Sequence, residues 1–452
     1  MANRVQFTVR FRRSLVALAL TGLALPAAAL DLSEAYRLAL EQDAAYKAAQ
    51  AETEARREAL PQARAQLMPN VSMNLSRSRN STDRESRTPQ GNTVSDSYDY
   101  FSSNYGVTLR QPLFRKYNFA LYQQAGYDVE SAEANLDKSL QDLLVRLAGA
   151  YFEALMAQDQ YALVLAQKEA YGIQLAAAKR ALAAGQGTRT DIDDAQARYD
   201  MTLAQELEAA QNMGYTRRQL QVIVNEPVDT LSVLDPARMQ LDGPTPAAVE
   251  EWIARGQEIN PELRAMRANI ESATQELEKA RAGHLPTVDL IAQRARPASE
   301  NNVSINTNYD TTMVGLQASV PLFAGGYVNS QVRQAQANLK KFEQQYENRR
   351  REVAQMIRKE FQSVSEGVLK VRALEQAERS ADQAVLSNQK GFQAGTRTQV
   401  DILNAQQQRM NTRRDLAQAR YQYILARVRL QGLVQAINLD EIETLNRWLR
   451  RG

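Results

Sequence analysis

YDYFSSNYGVTLRQPLF, residues Tyr98–Phe114, changes side-chain character at every step as it runs towards Pro112. Phe101, Tyr105, Val107, Leu109 and Leu113 fall on one side, and Ser102, Asn104, Thr108 and Arg110 on the other. A period of two marks a strand with one apolar and one polar face. Upstream, behind Pro69, the residues Val71, Met73 and Leu75 alternate with Ser72, Asn74 and Ser76, so the two runs read as a hairpin over 70–114. Between them Arg77–Asp96 is rich in Ser, Thr, Asn and Arg with almost no apolar side chain, which predicts a surface loop.

Directly after the strand the period changes. Tyr122, Val129, Leu136, Leu140, Leu143, Leu147 and Ala154 recur at three- and four-residue spacing, which predicts a helix packed sideways over many turns. Running from Tyr117 to Ala184 it would reach about 100 Å at about 1.5 Å per residue, far longer than an average helix. Ala184-Gly185-Gln186-Gly187 breaks it, and across so short a break Asp191–Val224 must return antiparallel. Ahead of the hairpin, Asp31–Leu67 reads as helix broken near Gln42–Asp43. Asn225-Glu226-Pro227, Asp235-Pro236 and Asp242–Pro246 form a breaker-rich linker.

Behind the linker the same order of elements returns. Pro261–Gly283 reads as helix, Pro286 matches Pro69, and Val288, Leu290 and Ala292 alternate with Thr287, Asp289 and Gln293. After a polar loop around Ala298–Asn308, Val314, Leu316, Ala318, Val320 and Leu322 alternate with Met313, Gly315, Gln317 and Ser319. Both hairpins leave through Pro-Leu-Phe, at 112–114 and 321–323, an offset of 209. A second long 3/4 run opens at Val328 and passes Ala335, Val353, Ile357, Phe361 and Val368 to a turn at Ala394-Gly395. Setting Ala184-Gly185 on Ala394-Gly395 superposes Asp191-Ile192 on Asp401-Ile402 and Ala195-Gln196 on Ala405-Gln406, at an offset of 210. Gly-Thr-Arg-Thr at Gly187–Thr190 lies two residues out of that register.

The chain therefore divides into a leader at 1–29, a first repeat at 30–240, a second at 241–436 and a C-terminal segment at 437–452. The first repeat holds the strand hairpin 70–114 and the helical hairpin 117–224, the second the strand hairpin 286–323 and the helical hairpin 327–436. Leu439, Ile442, Leu445 and Trp448 predict a short amphipathic helix at the end.

In the leader Arg4, Arg10, Arg12 and Arg13 precede the apolar run Leu15–Leu25, and Ala27-Ala28-Ala29 follows. This is the pattern of a secretory signal peptide cleaved after Ala29. No later run approaches the roughly 18 apolar residues of a spanning helix, so the exported protein is expected to be soluble, periplasmic or a β-barrel. A net charge of +3 from 55 basic and 52 acidic residues offers nucleic acid no bulk attraction. With no cysteine the sequence has no disulfide, thiolate metal site, thiol catalysis or lipid-attachment site. His284, the single histidine, sits at a helix end before Pro286 without partners at metal-ligand spacing. Phosphate-binding glycine loops, nucleophile elbows and zinc motifs are absent, so the expectation is a non-enzyme with no cofactor and no metal.

Each repeat offers one strand pair, whereas membrane barrels close with at least about eight strands because an open edge in lipid leaves backbone groups unsatisfied. Several chains must therefore share one barrel, apolar faces towards lipid and polar faces towards water. Tyr98, Tyr100, Tyr105 and Tyr309 are candidates for the interfacial aromatic girdle.

Gly395-Thr396-Arg397-Thr398, Val400–Leu403 and Ala417–Tyr421, together with Thr190–Asp200 and the doubled Pro-Leu-Phe, resemble the TolC family of outer-membrane channel-tunnel proteins along essentially the whole mature chain. The resemblance implies a mainly α fold with a transmembrane β-barrel: a homotrimer whose three chains give four strands each to a twelve-stranded barrel. The barrel stands on a long α-helical coiled-coil periplasmic tunnel. It implies an exit duct for type I protein secretion or small-molecule efflux, served by a periplasmic adaptor protein and an inner-membrane ABC or proton-driven transporter. Carried over position by position, Arg397 stands where the family has its gating arginine, Thr190 and Asp191 match the first-turn partners, and Asp401 matches an entrance carboxylate. Phe392 occupies the place of a tyrosine, which removes a hydroxyl bond. Asn404 replaces a second entrance aspartate, while Asp193 and Asp194 add carboxylates on the neighbouring turn. The competing reading is a periplasmic coiled-coil scaffold or adaptor without a pore.

Overall fold

The structure, a computed structural model, describes residues 29–299, 307–308, 310–434 and 439–450. The leader up to residue 28, Tyr309 and most of the loop around 298–308 lie outside the described residues. Helices α1 (Leu32–Gln42), α2 (Ala44–Arg57) and α3 (Ala59–Ala65) lead to strands β1 (Asn70–Arg87) and β2 (Thr93–Phe114), then to α4 (Lys116–Ala183) and α5 (Arg189–Val224). After β3 (Val233–Leu234) come α6 (Val249–Ile259), α7 (Pro261–Arg281), β4 (Thr287–Ser299), β5 (Thr307–Asn308) and β6 (Thr311–Ser319). Helices α8 (Tyr327–Gln393), α9 (Gln399–Val434) and α10 (Leu439–Arg447) and strand β7 (Leu449–Arg450) complete the chain.

The break at Asp43 has a local cause. Its carboxylate accepts from the Tyr46 amide at 2.8 Å to start α2, and at 3.0 Å it pairs with Arg146 of α4. Glu58 makes a second break that apolar spacing did not reveal. A larger correction concerns 77–96, read as loop. The strands run on to Arg87 and from Thr93, paired residue for residue from Asn70↔Arg110 to Arg87↔Thr93. The outer half of this ribbon is polar on both faces, as when water lies on both sides, so alternation vanishes while the backbone ladder continues. Register also separates the tyrosines. Tyr105 pairs with Leu75 on the apolar face, whereas Tyr98 and Tyr100 pair with Thr82 and Asn80 on the polar one, against their assignment to a lipid-facing girdle.

The sheet is antiparallel in the order β1-β2-β4, with both β5 and β6 on the far side of β4. Among the described residues β1 and β6 each have one pairing partner, so the sheet is open at both sides. The two Pro-Leu-Phe exits differ accordingly. Phe114 remains in the ladder opposite Val288, whereas β6 stops at Ser319 and leaves Leu322 and Phe323 at 93% and 90% exposure.

The helices form a wall. α4 lies along α5 and α7, α8 along α9 and α7, and α4 meets α9, which puts α5 and α8 at the outer sides of the part below α7. At 68 and 67 residues, α4 and α8 run the height of the wall, while α5 and α9, at 36 each, cover its lower half. At mid-height the main core gathers Leu32, Tyr36, Leu147, Tyr151, Phe152, Trp252, Ile357, Tyr421, Tyr423 and Leu445 from α1, α4, α6, α8, α9 and α10, with Trp448 just beyond α10. Tyr151 donates its hydroxyl into this core, 2.9 Å from the Leu30 carbonyl and 3.1 Å from that of Ser232, and β3 pairs with β7 beside it. α6 and β3 fall in or beside the linker, whose proline spacing hid them, whereas β7 lies beyond α10.

Candidate gate at the hairpin tips

Each helical hairpin ends in the same device. Gly185 (φ 72°) and Gly395 (φ 73°) adopt the left-handed conformation that lets a helix stop without a Cβ clash. Gln186 N–H then donates to Ala181 O at 2.9 Å, and Thr396 N–H to Gly391 O at 2.8 Å. Two residues further on, Thr188 and Thr398 start the return helices. The Asp191 carboxylate accepts from the amide and hydroxyl of Thr188 at 2.9 and 2.6 Å, and Asp401 from those of Thr398 at 2.8 and 2.9 Å. These are reciprocal capping boxes, since Asp191 N–H and Asp401 N–H donate back to the threonine hydroxyls at 3.2 and 3.3 Å. The amide and hydroxyl of Thr398 hold the Asp401 carboxyl below its ordinary range, with Arg397 as a further, smaller cause.

Glycines, caps and helix starts thus all obey the 210-residue offset, so Thr398 corresponds to Thr188 and Arg397 to Gly187. The two turns solve one packing problem in opposite ways. A Cβ on Gly187 would stand 3.1 Å from the Ala181 Cβ, while a Cβ on Gly391, the counterpart of Ala181, would stand 2.6 Å from Arg397 Cγ. Gly391 therefore makes room for the arginine. Its carbonyl also accepts from Thr396 N, Arg397 N and Thr396 Oγ1 at 2.8, 3.2 and 3.1 Å.

The other candidate residues are spread around the same end. Thr190 lies in the first turn of α5, exposed. Asp193 pairs with Arg189 at 3.2 Å along α5, and Asp194 makes no ion pair among the described residues. Phe392 is 43% exposed. Asn404 accepts from Arg198 Nη2 at 2.7 Å, a bond that ties α5 to α9. Nearer the tip Gln399 bonds Gln174, and above Asn404 the Gln407 side chain accepts from Tyr171 OH at 2.8 Å and from Gln167 Nε2 at 3.1 Å. One protomer thus holds its two hairpins together through amides. Among the described residues Arg397 forms no ion pair within its own protomer, and Asp401 feels its charge only at longer range. The capping threonines could have been found as Thr-x-x-Asp. Arg198, Gln174 and Gln407 carry no sequence signal because their partners come from the other repeat.

A two-sided open sheet, a long helical wall and paired tips recur in known proteins. The outer membrane efflux protein family matches residues 35–226 and again 252–434. The chain belongs to the outer membrane efflux protein family. Within this family it is 33% identical over 431 residues to the protease secretion protein PrtF of Dickeya chrysanthemi, spanning 94% of this chain and 92% of the relative. Identity to the alkaline protease secretion protein AprF of Pseudomonas aeruginosa is 34% over 418 residues, 92% of this chain and 86% of AprF. The outer membrane protein TolC of Vibrio cholerae is 29% identical over 423 residues, 93% and 94% of the two chains. Among solved structures the fold matches the outer-membrane channel OprN with a TM-score of 0.77 at 19% identity, over 90% of both chains. The fold also matches that of the outer membrane protein VceC from Vibrio cholerae, with a TM-score of 0.75 at 20% identity over 89% of this chain and 95% of that one.

Proposed function

We propose that this chain is the outer-membrane exit duct of a tripartite export system, built as a homotrimer and engaged from the periplasm by an adaptor protein and an inner-membrane transporter. It carries proteins by type I secretion or small toxic compounds by efflux. The similarity to the named protease secretion proteins PrtF and AprF favours proteins as cargo. One observation carries the reading: the protomer is open on both sides at both levels. β1 and β6 present unpaired ladder positions, which lipid does not tolerate. Below them α5 leaves Met201, Leu207 and Val222 at 62, 75 and 80% exposure, and α8 leaves Leu369 at 67%. Rotated copies bury both sets at once by joining β6 to the next β1 and α8 to the next α5, closing a barrel over a tube. A pore-free scaffold has no use for a sheet with an apolar face and no layer over it.

The transport path needs no chemistry of its own, and selection rests with the partners. We further assign the chain two repeats, 30–240 and 241–436, with the leader at 1–29 removed on export. The gate is assigned to the tips: Arg397 faces carboxylates of a neighbouring copy, with Thr190, Asp191, Phe392 and Asp401 around it and Asp193, Asp194 and Asn404 at the mouth. Exposed ion pairs contribute about 0–1 kcal/mol each. A threefold set of them is closed at rest yet yields to partners, because moving an equilibrium from about 99% closed to about 99% open takes about 5.5 kcal/mol of differential binding. Arg397→Ala therefore raises single-channel conductance in planar bilayers, and an unchanged conductance removes Arg397 from the gate.

A further inference from the structure

The outgoing strands of the two hairpins share a feature that the duct does not explain. Counting from Pro69 and Pro286, each carries Arg-x-Arg at the same steps: Arg77-Ser78-Arg79 on β1 and Arg294-Ala295-Arg296 on β4. All four arginines share the apolar face. Arg77 and Arg79 follow Val71, Met73 and Leu75 at two-residue spacing. Arg294 and Arg296 pair, through Val107 and Tyr105, with the rows of Met73 and Leu75. Arginine on a lipid-facing surface is costly at the bilayer midplane and tolerated near the interface. Distance from the prolines places these at the interface. Eight to ten residues at about 3.4 Å, inclined by about 40°, climb roughly 21–26 Å, the height of the apolar band of such barrels. The helices leave at the proline end, so the arginines ring the outward rim.

The side chains are available there. Arg79, Arg294 and Arg296 are 71, 69 and 70% exposed, and the Arg77 guanidinium lies over the Phe101 ring at 4.9 Å. Two carboxylates neighbour the four: Asp99 at 3.5 Å from Arg79, and Asp310 at 3.0 Å from both Arg294 and Arg296. Asp83 and Glu85 stand further out on the same face of β1. At the level where lipid headgroups begin, four guanidinium groups thus face two carboxylates; Arg294 already holds Asp310 through Nε and Nη2 at 3.2 and 3.0 Å, so phosphate would share or displace that carboxylate there, while the forks of the other three suit bidentate contact with phosphate.

We propose that the duplicated Arg-x-Arg pairs form a binding girdle for phosphate-bearing lipid headgroups of the outward leaflet. The proposal rests on the barrel reading above, with the apolar face outward. Three copies would place six such pairs around the rim, each with its acyl chains along the apolar rows below. The pairs fix the height of the barrel in the leaflet and retain a layer of bound lipid.

The experiment titrates the detergent-purified trimer with bisphosphorylated lipid A and with its dephosphorylated form, counting bound lipids by native mass spectrometry. The wild type is expected to retain the bisphosphorylated lipid at least tenfold more tightly, and inorganic phosphate at millimolar concentration is expected not to displace it. Replacing the four residues (R77Q, R79Q, R294Q, R296Q) abolishes that preference, whereas Arg84→Gln, on the opposite face of β1, leaves it intact. Equal retention of the two lipids by the unmutated trimer, or full displacement by inorganic phosphate, overturns the girdle without requiring any variant to fold. A preference that survives in the quadruple variant overturns it equally. Channel conductance of the same preparations separates this outcome from failure of the duct reading, in which no conducting trimer forms at all.

Discussion

Replacing Gly391 by alanine tests whether the gate depends on where Arg397 is held as well as on its charge. The new methyl would stand 2.6 Å from Arg397 Cγ and 3.3 Å from Arg397 Cβ and Thr396 Oγ1. Ordinary contact begins near 3.4 Å, so the side chain must retreat by roughly 1 Å or the turn must open. Overpacking in a closed core costs about 1–3 kcal/mol, but this end of α8 is exposed and the arginine can swing outward. In the other direction, alanine within a helix is favoured over glycine by about 1 kcal/mol. The two effects nearly cancel, so trimer stability shifts by less than about 1 kcal/mol. The gate proposed at the tips would have no such compensation, because an ion pair weakens once its partners part by an ångström or more. Single-channel recording should therefore show Gly391→Ala moved from the wild-type conductance towards that of Arg397→Ala, in a trimer of unchanged melting temperature. Wild-type conductance in Gly391→Ala, together with raised conductance in Arg397→Ala, refutes the seating role of the glycine.

Two further outcomes concern the core and the cap of the second tip. At mid-height Gly256 of α6 faces Ile357 and Val434; an added Cβ would overlap the Ile357 Cδ1 and stand 3.1 Å from Val434 Cγ1. Gly256→Ala should destabilise the protomer by about 1–3 kcal/mol, read as a lowered melting temperature with unaltered conductance of the surviving trimers. At the tip the Asp401 carboxyl titrates below its ordinary 3.8, so its contribution is complete above that value and is lost as pH falls through the lower, folded one. Hydrogen exchange over residues 399–403, corrected for intrinsic rate, should differ between wild type and Asp401→Asn above pH 3.8 and converge in stronger acid.

What the sequence displayed depends on which forces shape each element. The long helices were legible because Leu140, Leu143 and Leu147 meet neighbours along one stripe, and one stripe leaves one period. The membrane half of the strands was legible for the same reason. Their polar outer half was hidden, since Asn80 and Ser102 bond each other at 2.9 Å in a ribbon where side-chain hydrophobicity has no role. Length was also invisible in β3 and β7, two residues each, which exist through a pairing between distant parts of the chain. At the tips the acids could be read as charges, yet Asp191 and Asp401 are engaged by Thr188 and Thr398 of their own turns. The space beneath Arg397 needed backbone coordinates, because it depends on how closely two stretches of chain approach.

The order of the sheet has a consequence for the symmetry of the ring. Within a chain β2, from the first half, is joined to β4, from the second; in the ring proposed above β6 would meet the next β1, again second half against first. The three joints made inside the chains would thus be matched by three made between them. Such a cylinder has pseudo-sixfold character with two kinds of tip in alternation, one with glycine at 187 and the other with arginine at 397.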